Sequence, residues 1–434
     1  MKIEIKKTGI NGEGIGYYNR KPVFVDGCFP GEIADITISQ DNRTYYKGSL
    51  NRIISAIRDR TESPCNHYSK CGSCSFITLD YEKQLEYKRE IMQETLNKYS
   101  GLEIAVPEFV PSRQFNYRNK LSMTVKQDRS GYLYNVMYKA NSNIPVKIKK
   151  CYLHTEELEN VRKKVLMVFN TFRLKEYDNR TYKGIRGLVI RGFDEFQVTV
   201  ITGEDVLSDD VIRGIMNIKG VVSLYQGKNT QKNAVSLMPE EIQLLSGKDS
   251  IEVKISDYKV SLHPKAFFQL NKEQAEAIYS KVRNLVRERN NVAVEAFCGI
   301  GIMSMMLHDI CNEVIGIEID RNAVMSAREN MKSNRIRNVS FICNDATREM
   351  ISLVKRKKVD LLVVDPPRTG LDDDFIKCII KSGIRKIIYV SCNPATLARN
   401  IRDLSGRYSV KDIIPYDMFP NTPHCESITV LERR

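Results

Sequence analysis

From about residue 271 onward, apolar strand-like runs alternate with amphipathic helical ones, and that alternation confines the C-terminal part of the chain to one class of architecture. The predicted order is helix KEQAEAIYSKVRNLVRE, strand VAVEAFCG, helix GIMSMMLHDI, strand EVIGIEID, helix NAVMSARENMKSN, then strands VSFICND and VDLLVVDPP. A helix after Gly370, strand KIIYVSCN, a helix from Pro394 and terminal strands near VKDII and SITVLER complete it. Strands separated by helices build a doubly wound parallel sheet, whose ligands bind beyond the carboxyl ends of the strands. An α/β domain is expected over 261–434.

The preceding sequence divides in two. Residues 1–58 read as short alternating strands, MKIEIKKTGI, KPVFVDG, EIADITIS and YYKGSLNRII, with Gly12, Gly14, Gly16, Gly27 and Gly31 at the turns, a pattern that predicts a small β-barrel. Residues 59–260 read as a mixed α+β region. It has a helix from about Tyr81 to Tyr99 that buries Leu85, Ile91, Met92, Leu96 and Tyr99, a second near Leu158 to Asn170, and strands at KLSMTVKQ, GLVIRGF and FQVTVITG.

Charge points to the partner. The 434 residues carry 67 Lys and Arg against 53 Asp and Glu, and 18 of those basic groups against 6 acidic ones fall between Arg113 and Arg191. That stretch interleaves them with Tyr117, Tyr132, Tyr134, Tyr138, Tyr177 and Tyr182. The combination suits phosphate neutralisation with base stacking, and equally suits a solvated face over a tyrosine-containing core. No run approaches the roughly 18 apolar residues of a membrane span, and MKIEIKK lacks an apolar signal core, so a cytoplasmic protein without membrane association is expected. Eleven cysteines without an export signal argue against a disulfide framework and for metal or catalytic thiols.

The motifs gather at the predicted strand ends. Strand VAVEAF runs into Cys298-Gly299-Ile300-Gly301, a turn that lets the backbone approach a ligand closely, and Glu318 ends the next strand, placed to accept hydrogen bonds from ribose hydroxyls. Ser304 replaces the third glycine of a dinucleotide fingerprint, which favours S-adenosylmethionine over a nicotinamide cofactor. Asp365-Pro366-Pro367-Arg368 either forms a rigid lip over a bound molecule or simply ends a strand. Cys392, ahead of the helix opened by Asn393-Pro394, is either a packing thiol or a nucleophile whose pKa is lowered by the helix terminus. Glu426 is a surface carboxylate or a general base facing the same cleft. Cys65-x5-Cys71-x2-Cys74 has the spacing of a metal site, and His67 leaves zinc open.

FCGIG, DPPR, SCNPATLARN and PHCES, in this order, resemble the RNA uracil-5-methyltransferase family over essentially the whole chain, in particular its iron-sulfur, TRAM-containing branch that makes 5-methyluridine in 23S rRNA. GEGIGYYNRKPVFVDGCFPGEIADITI likewise resembles the OB-like TRAM barrel. The resemblance implies a Rossmann-like class I methyltransferase domain, an N-terminal TRAM barrel, and a central domain carrying an iron-sulfur cluster. It makes Cys392 the nucleophile and Glu426 the base. Gln269, Phe297, Glu318 and Asp365 would hold S-adenosylmethionine, with Phe267 lining the same pocket. Cys65, Cys71, Cys74 and Cys151 would ligate a 4Fe-4S cluster. Glu295 and Ile302 stand where the family often has Asp and a small polar residue. The partner expected is ribosomal RNA with the uridine flipped out; the alternatives are a tRNA enzyme of identical chemistry and a non-catalytic RNA-binding iron-sulfur sensor.

Overall fold

A barrel, a seven-stranded sheet, a two-stranded sheet of Ile251–Ile255 with Tyr258–Leu262 and a second seven-stranded sheet follow one another in the computed structural model, which describes residues 1–140, 142–232, 236–286 and 289–434. Strands Lys2–Thr8, Gly14–Tyr18, Lys21–Val25, Ile33–Asp41 and Tyr46–Ser55 close into a barrel. Its interior is filled by Ile3, Ile5, Val23, Val25, Ala34 and Ile36, the inward halves of the alternating runs. Gly14 and Gly16 lie inside a strand and not at a turn as expected. A Cβ on them would stand 2.6 Å from the Cys28 carbonyl oxygen and 2.7 Å from that of Glu4, so they let neighbouring backbone pass close by.

The middle sheet has seven strands, in the order Gln243–Gly247, Val221–Lys228, Phe196–Thr202, Ile185–Gly192, Lys120–Gln127, Leu133–Tyr138 and Pro145–Lys147. Helices Glu156–Thr171 and Asp209–Met216 contribute Leu158, Val161, Val165, Phe169, Val211 and Ile215 to its core. Helix Tyr81–Ser100, adjacent in sequence to this region, packs instead on helix Pro394–Leu404, and its Met92 and Leu96 join the C-terminal core.

The last sheet runs Val339–Cys343, Cys311–Glu318, Asn290–Ala296, Leu361–Val364, Lys386–Ser391, Glu426–Arg433 and Tyr408–Tyr416. The first five are parallel and the last two antiparallel. The strand order reverses between Asn290–Ala296 and Leu361–Val364, where a doubly wound sheet opens its binding crevice. Helix Lys272–Leu285 leads into it, and residues 287 and 288 at the end of the expected run lie outside the described residues. One helix of this domain went unread in the sequence. Helix Ala346–Arg356, capped by Asp345 accepting from the Arg348 amide at 2.9 Å, fills the crossover from strand Val339–Cys343 to strand Leu361–Val364 and buries Ala346, Glu349, Met350 and Leu353 on one face. Among the described residues no helix is long and apolar enough to cross a membrane.

Candidate active site

Five of the residues singled out in the sequence stand in a row along one edge of the C-terminal sheet. Across adjacent strand ends they run Glu318, Phe297, Asp365, Cys392 and Glu426. Glu426 reaches this edge because its strand is antiparallel: Ser391 pairs with Ser427, so the residue after Ser391, Cys392, lies across from the residue before Ser427, Glu426.

At one end of the row the turn after Ala296 is shaped to hold a ligand. Phe297 adopts φ +66, a left-handed conformation that costs a non-glycine residue about 1–3 kcal/mol, and packs on Phe375 with centroids 5.9 Å apart. Gly299, at φ +52, is followed by open space where a Cβ would stand. Its amide donates to Glu318 Oε2 at 3.0 Å, while Glu318 Oε1 accepts from the amides of Ile319 and Asp320 at 2.8 and 2.9 Å. The acidic side chain is thereby fixed beside the glycine turn. Gln269 stands apart from the row, on the loop before helix Lys272–Leu285. That loop is held by the middle sheet: Asn119 Nδ2 donates to the Gln269 carbonyl at 2.9 Å, and the buried Arg191 guanidinium donates to those of His263 and Ala266 at 3.2 and 2.6 Å. Phe267 on the same loop is 71% exposed, free to stack against an incoming ring.

At the other end the cleft is buried and acidic. Burial, then the charge of Asp365, holds the Glu426 carboxyl well above the usual carboxylate range, with Arg368 opposing. Its Oε1 is buried and has no hydrogen-bond partner among the described residues. Burial raises Asp365 to about 7. The helix terminus does not lower the Cys392 thiol as the sequence suggested: burial first, then the charges of Glu426 and Asp365, push it up to about 11, and Arg368 pulls it down. Asn393 fastens these elements together, capping helix Pro394–Leu404 through the Ala395 amide at 3.0 Å and donating from Nδ2 to the Arg368 carbonyl at 3.0 Å. Two participants had no assigned role in the sequence reading. Arg368 is the cation acting on both Cys392 and Glu426, and the Tyr279 phenol, raised by burial, feels the charges of Asp365, Glu295 and Glu426.

Glu295 lies under the glycine turn, hydrogen-bonded by Ser304 Oγ and raised to about 8 by burial. A carboxyl near pKa 4.3 in the unfolded chain and near 8 in the folded one makes the folded state bind more protons between those values, so stability falls as pH rises through that window. Glu295→Gln removes the charge and keeps the hydrogen-bond acceptor. Thermal melts of donor-free protein should therefore show a higher midpoint for the variant at pH 9 and equal midpoints at pH 5.

Away from the cleft, Cys65, Cys71, Cys74 and Cys151 line one cavity of about 50 Å³ together with Arg118, His154, Met123, Met137 and Ile148. Among the described residues no group of three or more His, Cys, Asp or Glu side chains is arranged to hold a metal ion. The basic stretch beside this cavity is divided. Tyr132, Tyr138 and Tyr182 are exposed, while Tyr117, Arg162 and Arg191 are internal, so part of the charge surplus is structural. Lys147 lies 4.3 Å over the Tyr134 ring.

Comparison with known proteins places the chain among relatives of full length. Residues 240–434 match the family described as tRNA (Uracil-5-)-methyltransferase, and residues 1–50 match the TRAM domain. An uncharacterized RNA methyltransferase of Enterococcus faecalis is 34% identical, covering 100% of this chain and 98% of its own length. Another, from Clostridium tetani, is 32% identical over 98% and 95%. The chain belongs to the RNA uracil-5-methyltransferase family. Its fold matches that of another protein throughout: the Pyrococcus abyssi tRNA (uracil-54, C5)-methyltransferase, solved in complex with S-adenosyl-L-homocysteine, superposes with a TM-score of 0.80 at 24% identity, covering 99% of each chain. Family membership and the shared fold account for the barrel and the seven-stranded C-terminal sheet.

Proposed function

We propose that this chain transfers a methyl group from S-adenosylmethionine to carbon 5 of a flipped uridine in 23S ribosomal RNA, in the cytoplasm, through a covalent adduct on Cys392. The observation that carries the reading is the buried Glu426 carboxyl, its Oε1 without a hydrogen-bond partner among the described residues, set across from the Cys392 thiol at neighbouring strand ends. Carbon 5 of uracil is a poor nucleophile until carbon 6 is attacked. Addition of the Cys392 thiolate to carbon 6 generates an enolate whose carbon 5 takes the methyl group. Glu426 then removes the carbon 5 proton, the electrons of that bond restore the 5,6 double bond, and the thiolate leaves. In this reading Gln269, Phe297, Glu318 and Asp365 hold the donor. Its sulfonium charge, arriving among Asp365 and Glu426, offsets the carboxylate charges that raise the thiol. The division into 1–58, 59–260 and 261–434 serves the three tasks of barrel, RNA platform and transferase, with helix Tyr81–Ser100 of the middle part packed on the last.

The cysteine cavity is read as the seat of a 4Fe-4S cluster ligated by Cys65, Cys71, Cys74 and Cys151. The donor set fits. Burial and then the charges of neighbouring cysteines raise the Cys65 and Cys74 thiols, a repulsion that bound iron would relieve. Cys151, though burial raises it, is drawn below its ordinary value by the His154 hydrogen bond and charge. When bound, such a cluster would cross-link the loop of residues 65–74 to the middle sheet beside the basic surface, a structural role. Anaerobically purified protein should show broad visible absorption that dithionite bleaches, and Cys71→Ser should lose it; a colourless protein with stoichiometric zinc would contradict the assignment.

The Pyrococcus abyssi protein that shares this fold is a tRNA methyltransferase, so a tRNA enzyme of the same chemistry is the second reading. By resemblance the four cysteines favour the rRNA branch; the barrel does not discriminate, because the fold match to the tRNA enzyme covers 99% of this chain. A non-catalytic sensor would have no need of Cys392 and Glu426 in one cleft. Mapping 5-methyluridine in total RNA from a strain lacking the gene separates these readings: a site lost from 23S rRNA and restored by the gene is expected, and loss confined to tRNA would move the substrate.

A further inference from the structure

Residues 417–425, the link that delivers Glu426 to the cleft, are gripped by side chains from outside the C-terminal sheet. Tyr81, Gln84 and Lys88 occupy one face of helix Tyr81–Ser100 at helical spacing and all reach this link. Lys88 is fully buried. Its ammonium donates to Asp417 Oδ1 and to the carbonyl oxygens of Phe419 and His424, both at 3.0 Å. Tyr81 donates to Asp417 Oδ2 at 2.8 Å and accepts from the Ser112 amide at 2.7 Å. Gln84 accepts from the Asn421 amide at 2.9 Å and donates to its Oδ1 at 3.2 Å. Tyr117 donates to the Pro420 carbonyl at 3.2 Å.

A buried ion pair is weak evidence of stability, because desolvating two charges offsets their attraction and apolar residues of similar volume often serve as well. What an apolar pair cannot do is bond carbonyls at both ends of one loop. Lys88 ties residue 419 to residue 424, two positions before Glu426, and so fixes the path by which that carboxyl enters the cleft.

We propose that Lys88 is the positioning residue for Glu426: through the Phe419 and His424 carbonyls it holds the carboxyl where the carbon 5 proton must be taken, and so acts on elimination and not on addition. This rests on the reading in which Cys392 adds and Glu426 removes the proton. A misplacement of about 1 Å in a reacting group can lower a rate about 100-fold, which sets the expected size.

The test is single-turnover methylation of target RNA by Lys88→Met, by the double variant Lys88→Met with Asp417→Leu, by Lys88→Arg and by Glu426→Gln, following adduct on denaturing gels and release of methylated RNA. Lys88→Met should form adduct within about threefold of the unaltered rate and release product about 100-fold more slowly, leaving donor affinity unchanged. The double variant should regain the thermal stability that an unpaired Asp417 removes, yet still accumulate adduct. Lys88→Arg, which keeps the cation and its donors, should eliminate at least about tenfold faster than Lys88→Met. Normal elimination by the double variant, equal slowing of addition and elimination, or no gain with arginine would overturn the proposal. If Glu426→Gln itself releases product normally, the underlying reading fails; if it traps adduct and Lys88→Met does not, only the role of Lys88 fails.

Discussion

Glu426→Gln should accumulate a methylated protein–RNA adduct while turnover falls about 10³-fold, the scale of a lost general base. The amide has nearly the shape of the carboxyl, so the cleft keeps its form around Oε1, which has no hydrogen-bond partner among the described residues. Cys392 still adds to carbon 6 and methyl transfer still occurs. The proton on carbon 5 has no acceptor, and the thioether bond persists through a denaturing gel. Because burial and then the charge of Asp365 hold the Glu426 carboxyl well above its ordinary range, release of methylated RNA by the unaltered enzyme should quicken as pH rises, and by the variant should be nearly flat with pH.

Cys392→Ala should remove turnover altogether at the level of measurement, a loss of roughly 10⁴-fold or more, with neither adduct nor methylated RNA. Donor binding should survive, since the residues assigned to it lie on other strand ends. In the unaltered enzyme the thiol stands near 11, so below that value the thiolate fraction rises about tenfold per pH step. Adduct formation measured by quenching should climb between pH 7 and 9 and be absent in the variant at every pH.

Much of the site was legible because strand ends are legible. Runs such as VAVEAF and KIIYVS mark their own limits, and chemistry placed at those limits in a doubly wound sheet meets in one cleft. Pairing of the last strand was not legible: only the antiparallel register of Ser391 with Ser427 sets Glu426 across from Cys392 and buries it. The thiol's elevation escaped for the same reason, since a local helix terminus is visible in sequence while burial and two distant carboxylates are not. Lys88 and Gln84 were invisible in a different way. A polar residue on an amphipathic helix reads as solvent-facing, and their burial follows from a loop more than 300 residues away that offers them oxygens. Helix Ala346–Arg356 carried its own signal, an Asp cap followed by apolar positions at three and four, hidden between two strongly apolar strands.

The central claim, that Cys392 attacks carbon 6 of a uracil in RNA, is tested most directly by incubating the protein and S-adenosylmethionine with target RNA carrying 5-fluorouridine. Fluorine cannot leave carbon 5 as a cation, so elimination stops and the covalent intermediate is held. The expected result is a slowly migrating band whose protease digest places methylated fluorouridine on the peptide containing Cys392. An adduct on Cys425 or Cys298, or 5-methyluridine made from ordinary RNA with no adduct from the fluorinated one, would contradict it.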